Sequence, residues 1–310
     1  MSVDKTRANR WVSLALLTVL GVLGLVFLLQ AAAMVFGPSK SACTKQVCLA
    51  KFLEGPPAFN DVGMSTYLRN NHFLPPTASG YQLSGINGRT ANFDAILQYI
   101  KEYFNNKRGG VFVDVGAGDG EYRSVTLELE KTLGWTGLLV EPNEHLYKKI
   151  LKKGRKAQLT KACISPYSYP TVLKLAYPVI KEGASEEEEV KTLSQTKLHR
   201  LWDQQIETGL VAFEAQCVPL ENLIYAAGIT KSFDLLVLDM SGTDLDILLN
   251  TRMDVLPAFE MILIHANGAN VGNDIGGYFL ECNMVIKKVF GNSAETASYV
   301  LVKFDARKDL

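Results

Sequence analysis

The run Asp114-Val115-Gly116-Ala117-Gly118-Asp119-Gly120 puts three glycines and two carboxylates at the point where an apolar stretch gives way to a helical pattern. Glycines there allow a tight strand-to-helix turn and let a ligand lie against bare backbone. Their spacing separates ligand classes. A dinucleotide fingerprint, G-x-G-x-x-G, would place its third glycine at Glu121. The chain instead has G-x-G-x-G behind an acid, and Asp114 and Asp119 would repel a pyrophosphate, so the pattern fits a cationic ligand such as S-adenosylmethionine. Glu141 ends the next apolar stretch, where a carboxylate accepts both hydroxyls of a ribose. Asp114, Gly116, Gly118, Asp119, Gly120 and Glu141 are therefore the candidate cofactor-binding residues. Asp239, ahead of Met240-Ser241-Gly242-Thr243-Asp244, and His265 each close a later apolar stretch and are the candidates for catalysis. An imidazole titrates near neutrality and suits a general base, although a lone histidine closing a strand also serves as a structural or solvated group. No clustered His, Cys and acid spacing suggests a metal site, and no serine nucleophile elbow is present.

The elements that must hold these residues alternate. Phe93, Ile96, Leu97, Ile100 and Phe104 recur at helical spacing before Gly109-Gly110. Val111 to Val115, Gly137 to Glu141 and Ala157 to Ile164 read as strands, separated by helices through Val125, Leu129 and Leu133 and through Leu146 and Ile150. This βαβαβ order implies a parallel sheet covered on both faces. Asp234 to Asp239, a helix through Leu245 and Leu248, and Met261 to His265 continue it. Met284 to Phe290 and Ser298 to Phe304 form a hairpin around Gly291-Asn292-Ser293. The expected fold is an α/β methyltransferase-type Rossmann fold: a seven-stranded, mostly parallel sheet with a C-terminal antiparallel hairpin. An insertion of about 166–230 interrupts it, with an edge strand at Thr171 to Ala176, a capping box of Ser185 and Glu188 opening a helix toward Trp202, and a strand at Phe213 to Leu220. The acid run Glu186 to Glu189 and the basic cluster Lys148, Lys149, Lys152, Lys153, Arg155 and Lys156 read as solvated helix ends, with ion or phosphate binding as the alternative.

Lys+Arg and Asp+Glu number 32 each in a chain that is 47% hydrophobic and 21% charged, so disorder and a global basic surface for nucleic acid are excluded. Residues 11–37 carry no charged side chain, enough to cross a bilayer of roughly 30 Å, and they outlast a signal peptide's apolar region of about 7 to 15 residues. Positive charge on the two flanks nearly ties. Cys43 and Cys48, at a spacing suited to a loop disulfide in an oxidising lumen, favour a cytosolic tail (1–10), an anchor (11–37), a lumenal stem (38–90) and a lumenal domain (91–310). Two unpaired thiols are the alternative there. Cys163 and Cys217 each fall at or near a predicted strand, so strand pairing would bring them within reach of a bond, with two buried thiols as the alternative.

Asp114 to Gly120, Glu141-Pro142-Asn143 and Leu238-Asp239-Met240-Ser241-Gly242 resemble the FkbM-type methyltransferase domain over roughly 93–310. That resemblance implies an S-adenosylmethionine-dependent O-methyltransferase fold. Blocks such as Gly134-Trp135-Thr136-Gly137-Leu138-Leu139 and Ala162-Cys163-Ile164-Ser165-Pro166, with the N-terminal anchor, are also similar to the arthropod Star-like membrane proteins. This second likeness implies a single-pass protein of endoplasmic reticulum, Golgi and endosome membranes, trafficking cargo such as growth-factor precursors. Two departures bear on catalysis. Ser241 stands where the FkbM-type Asp-x-Glu-Gly pattern has glutamate, and Ile262-Leu263-Ile264-His265 replaces the usual Ile-Ile-Glu. Trafficking by a cofactor-binding domain, and methylation of a hydroxyl on a lumenal glycan, lipid or small molecule, both follow as expectations.

Overall fold

The computed structural model describes residues 58–201, 209–267, 283–292 and 296–303. The chain divides into two units, 1–48 and 49–310. The first, with the apolar run and Cys43 and Cys48, lies outside the described residues. Among the described residues no helix is long and apolar enough to cross a membrane.

In chain order the elements are α1 (Val62–Asn71), β1 (Phe73–Leu74), α2 (Ala91–Tyr103), β2 (Val111–Val115), α3 (Val125–Leu133), β3 (Thr136–Val140), α4 (Glu144–Lys153), β4 (Gln158–Thr160), β5 (Cys163–Ile164), β6 (Thr171–Pro178), α5 (Glu186–Leu193), β7 (Lys197–Leu198), β8 (Leu210–Val218), α6 (Leu220–Ala226), β9 (Leu235–Leu238), α7 (Asp244–Asn250), β10 (Met261–Asn267), β11 (Met284–Asn292) and β12 (Thr296–Lys303). The main sheet runs β1-β4-β3-β2-β9-β10-β12-β11. Its centre is parallel, β1 is antiparallel at one edge, and the β11–β12 hairpin is antiparallel at the other. Central strands are almost wholly apolar, Asp114 on β2 excepted, because both sheet faces are covered. Phe93, Ile96 and Ile100 of α2 pack with Val125 and Leu129 of α3 over Phe112, Leu139, Leu235 and Leu263. From β2 the chain winds outward through β3 and β4, then returns to β9 on the other side. The carboxyl ends of β2 and β9 thus flank the switch point at which open α/β sheets bind ligands.

Five sequence expectations are corrected. The single strand expected over Ala157 to Ile164 is two: β4 pairs in the main sheet, and after Ala162 the chain enters a second sheet of order β5-β8-β6-β7. Thr171 to Ala176 is then an inner strand of that sheet, not an edge, and α5 ends at Leu193 instead of running toward Trp202. Residues 58–90 are not a separate stem. Met64, Tyr67 and Leu68 of α1 are buried, and β1 adds an eighth strand to the seven expected. The backbone N–H groups of Thr77 and Gln82 donate to the Arg155 and Lys153 carbonyls at 3.3 and 3.0 Å. The capping box is present as expected, with Ser185 and Glu188 satisfying each other's backbone N–H groups. Half of the basic cluster is paired with acids of other elements: Lys149 with Glu186 and Glu189 of the acid run, Lys153 with buried Glu121, and Arg155 with buried Glu130.

Cys163 and Cys217 are register partners on β5 and β8, with Cα atoms 4.3 Å apart, and they form a disulfide. It sits in the small core of the second sheet with Leu175, Leu198 and Ala215.

Candidate functional site

At the carboxyl ends of β2, β3, β9 and β10 a cavity of about 630 Å³ opens, walled on its far side by the second sheet and the segment 193–198. Backbone N–H groups of Gly116 and Ala117 donate to the Val140 carbonyl at 3.0 and 3.1 Å, which folds the turn after β2 back onto β3. Gly116 has φ +84°, and a Cβ there would lie 2.0 Å from the Asp239 carbonyl oxygen, so only glycine fits. Gly118 has φ +61°, but a Cβ there would meet nothing nearer than Ser194 Oγ at 3.6 Å. The turn therefore presents open backbone to the cavity at Gly118.

Glu141 lies at the turn after β3 with both carboxylate oxygens engaged by backbone: Oε2 accepts from Gly118 at 2.9 Å and Oε1 from Asn143 at 2.8 Å. Each oxygen retains a second acceptor position. Burial pushes this carboxyl up to about 8, against those two N–H bonds and with help from the charges of Asp114 and Asp119. Asp114, on β2, accepts from the Thr126 hydroxyl and is pushed by burial up to about 6. Burial and the neighbouring Asp239 raise Asp244 to about 7, although the Met240 and Gly242 N–H groups donate to it. Desolvation outweighs the hydrogen bonds these carboxyls accept and, at Asp114, the charge of Arg155, and keeps them reluctant to ionise.

The structure brings Asp114, Gly116, Gly118, Glu141, Asp239 and His265 to the cavity wall, and leaves Asp119 and Gly120 off it. Asp119 is corrected from ligand-facing to structural. Its Oδ1 accepts from the Glu121 and Tyr122 N–H groups at 3.0 and 2.7 Å, and its Oδ2 lies 3.4 Å from the buried Lys153 ammonium. Gly120 has φ +78° and packs instead on Ile150 and Arg155.

His265 and Ser298 are register partners on β10 and β12, and His265 Nδ1 lies 2.7 Å from Ser298 Oγ. Burial lowers the imidazole below its ordinary value, opposed by Asp239 and reinforced by Arg123. Ser298 escaped the sequence reading because only strand register reveals it. Ser241 is left-handed (φ +53°) and donates its hydroxyl to the Ser194 carbonyl at 3.1 Å. Asn143 caps α4 through Oδ1, and its amide donates to Thr196 Oγ1 at 2.8 Å. These two bonds hold the 193–198 wall on the main sheet.

The sequence matches the methyltransferase FkbM domain over residues 114–288, more than half of the chain and inclusive of every cavity carboxylate above. The chain belongs to the FkbM methyltransferase domain family. No curated relative matches it. Among solved structures, this FkbM chain is similar to magnesium protoporphyrin IX methyltransferase of Synechocystis PCC 6803 with bound S-adenosylmethionine (10% identity, 79% of this chain and 93% of that one, TM-score 0.39). It is also similar to M. capricolum TrmK in complex with S-adenosylhomocysteine (13% identity, 70% of each chain, TM-score 0.36) and to an Escherichia coli rRNA methylase (11% identity, 89% and 83%, TM-score 0.31).

Proposed function

We propose that the cavity binds S-adenosylmethionine and that the domain methylates a hydroxyl group. The observation that carries this reading is Glu141. It is a buried carboxylate bridging the Gly118 and Asn143 N–H groups, with acceptor capacity left on both oxygens, beside an open glycine backbone and two further acids, Asp114 and Asp239. That donor and acceptor set fits a ribose diol on Glu141 and a cationic group above the acidic floor. S-adenosylmethionine, when bound, supplies an electrophilic methyl group on a sulfonium. The chain's own contribution is proton handling and orientation. With Ser298 Oγ accepting from Nδ1–H of His265, the ring is fixed and Nε2 carries the lone pair that takes the acceptor's proton. Burial, by holding the imidazole neutral, keeps that lone pair available. Asp239 faces the same space and stabilises the imidazolium that forms.

Placement behind a single-pass anchor, with the domain in the lumen of endoplasmic reticulum, Golgi or endosomes, is part of the proposal. It is supported by the uncharged run 11–37 and by the Cys163–Cys217 disulfide, a bond that persists in oxidising compartments. A second reading, Star-like trafficking of a protein cargo such as a growth-factor precursor, is favoured by Ser241. The family's carboxylate position is occupied here by a strut to Ser194. The two separate on one variant. His265→Ala should abolish methyl transfer from radiolabelled cofactor to lumenal acceptors while leaving cofactor binding unchanged. Transfer that survives the substitution removes His265 from the role, and binding without transfer in the wild type leaves the trafficking reading in place.

A further inference from the structure

The cavity is lined by charges of both signs. Its floor holds Asp114, Glu141 and Asp239, whereas two cationic side chains, Arg123 and Lys191, reach it from the turn after β2 and from α5. The acids of α2 and α3 that form ion pairs do so with other cations. Of the acids on the neighbouring helices α2 and α3, Asp94 is held by Arg89 at 2.5 Å, and Glu128 by Lys131 at 3.3 Å and Arg89 at 3.7 Å. Glu130, further along α3, is held by Arg155 at 3.1 Å. Arg123 makes no ion pair among the described residues. Its backbone is left-handed at φ +53°, a conformation costly for a side chain with a Cβ, and the Asn87 carbonyl fixes it by accepting the Arg123 N–H at 2.7 Å. Arg123 and His265 both line this cavity.

We infer that Arg123 is the counter-charge for an anionic acceptor, a hydroxyl compound that also carries a carboxylate or phosphate. A planar guanidinium pairs with either group in bidentate fashion. Seating the anion on Arg123 turns the rest of the molecule toward His265 and Ser298. The part of the cavity assigned to the acceptor rests on the cofactor reading above. The competing occupant of Arg123 is the carboxylate of the cofactor's own methionine end.

The test is calorimetric titration of the full-length protein with glucuronate, glucose 6-phosphate and glucose, each with and without saturating S-adenosylhomocysteine. Arg123→Gln and Arg123→Lys are run alongside. The two anions should bind at least about tenfold more tightly than glucose, with the advantage lost in Arg123→Gln and partly kept in Arg123→Lys. S-adenosylhomocysteine affinity should be the same in all three proteins. Equal binding of glucose and the anions overturns the assignment. A fall in S-adenosylhomocysteine affinity in Arg123→Gln overturns it differently, by giving Arg123 to the cofactor carboxylate. If S-adenosylhomocysteine fails to bind the wild type, the cofactor reading fails, while the titrations without it still decide whether Arg123 selects anions.

Discussion

Gly116 and Gly118 are two residues apart and both have positive φ, yet they differ in what surrounds them. Alanine at 116 would add a Cβ 2.0 Å from a backbone oxygen as well as backbone strain, whereas alanine at 118 incurs the strain alone. Gly116→Ala should therefore cost roughly 2–5 kcal/mol and Gly118→Ala about 1–2 kcal/mol, readable as urea-unfolding free energies. Equal losses would mean that the close approach to Asp239 is not felt. Glu141 gives a second residue-scale prediction. Its carboxyl titrates near 8 in the folded protein against an ordinary 4.5, so its contribution to stability is fully present below about pH 4.5 and is lost as pH rises through about 8. A ligand that needs the ionised form as acceptor must expel the proton. Binding should tighten over that interval and, at neutral pH, show an enthalpy that depends on the buffer's ionisation heat. Glu141→Gln should show no such dependence. Glu141 and Asp114 were legible because they end buried strands beside glycines. Asp119 was misread because sequence adjacency to the turn says nothing about which way a side chain faces once Lys153 is nearby.

Between elements, the arrangement hangs on buried charge. Lys153, at the end of α4, is bonded to Glu121 at 2.6 Å and to Ser84 Oγ at 2.8 Å, while Glu121 also accepts the Ser84 and Gly85 N–H groups. Burial opposes ionisation of Glu121, but Lys153, Ser84 and Gly85 outweigh it and hold the carboxyl below its ordinary range. That stabilisation is present above about pH 4.5 and is lost as pH falls through the folded value. Lys153→Met, which strands two buried carboxylates, should destabilise the domain by about 3–5 kcal/mol, and adding Glu121→Gln should recover part of it. A loss below about 1 kcal/mol would show that water relieves the cluster. The 84–85 strap was not legible, because residues 77–88 are rich in Gly, Ser and Asn and form no periodic element of their own; tertiary bonds alone order them. The parallel frame was legible from apolar runs between glycine-marked turns. The passage from β4 into the second sheet was not, since only Lys161-Ala162 separates the two short strands and no glycine or proline marks the change of sheet. The disulfide across that second sheet closes a separation of 54 residues. Cys217→Ala should cost about 2–4 kcal/mol and make unfolding insensitive to reductant.

At the scale of the molecule, one sheet edge gathers the acids of β2, β3 and β9 with the histidine of β10, and a second, disulfide-closed sheet walls the space between them. The chain has no net charge at neutral pH. A global field therefore does not steer ligands to the cavity. The central claim is that this edge holds S-adenosylmethionine through Glu141 and the glycine turn. Titration of the full-length wild type and Glu141→Gln with S-adenosylmethionine and S-adenosylhomocysteine tests it most directly. The account predicts saturable binding of both ligands to the wild type and an affinity lower by about tenfold or more in the variant, since a charge-assisted hydrogen bond is worth about 1.5–3 kcal/mol. No binding to the wild type at about millimolar ligand, or equal binding to both proteins, would contradict it.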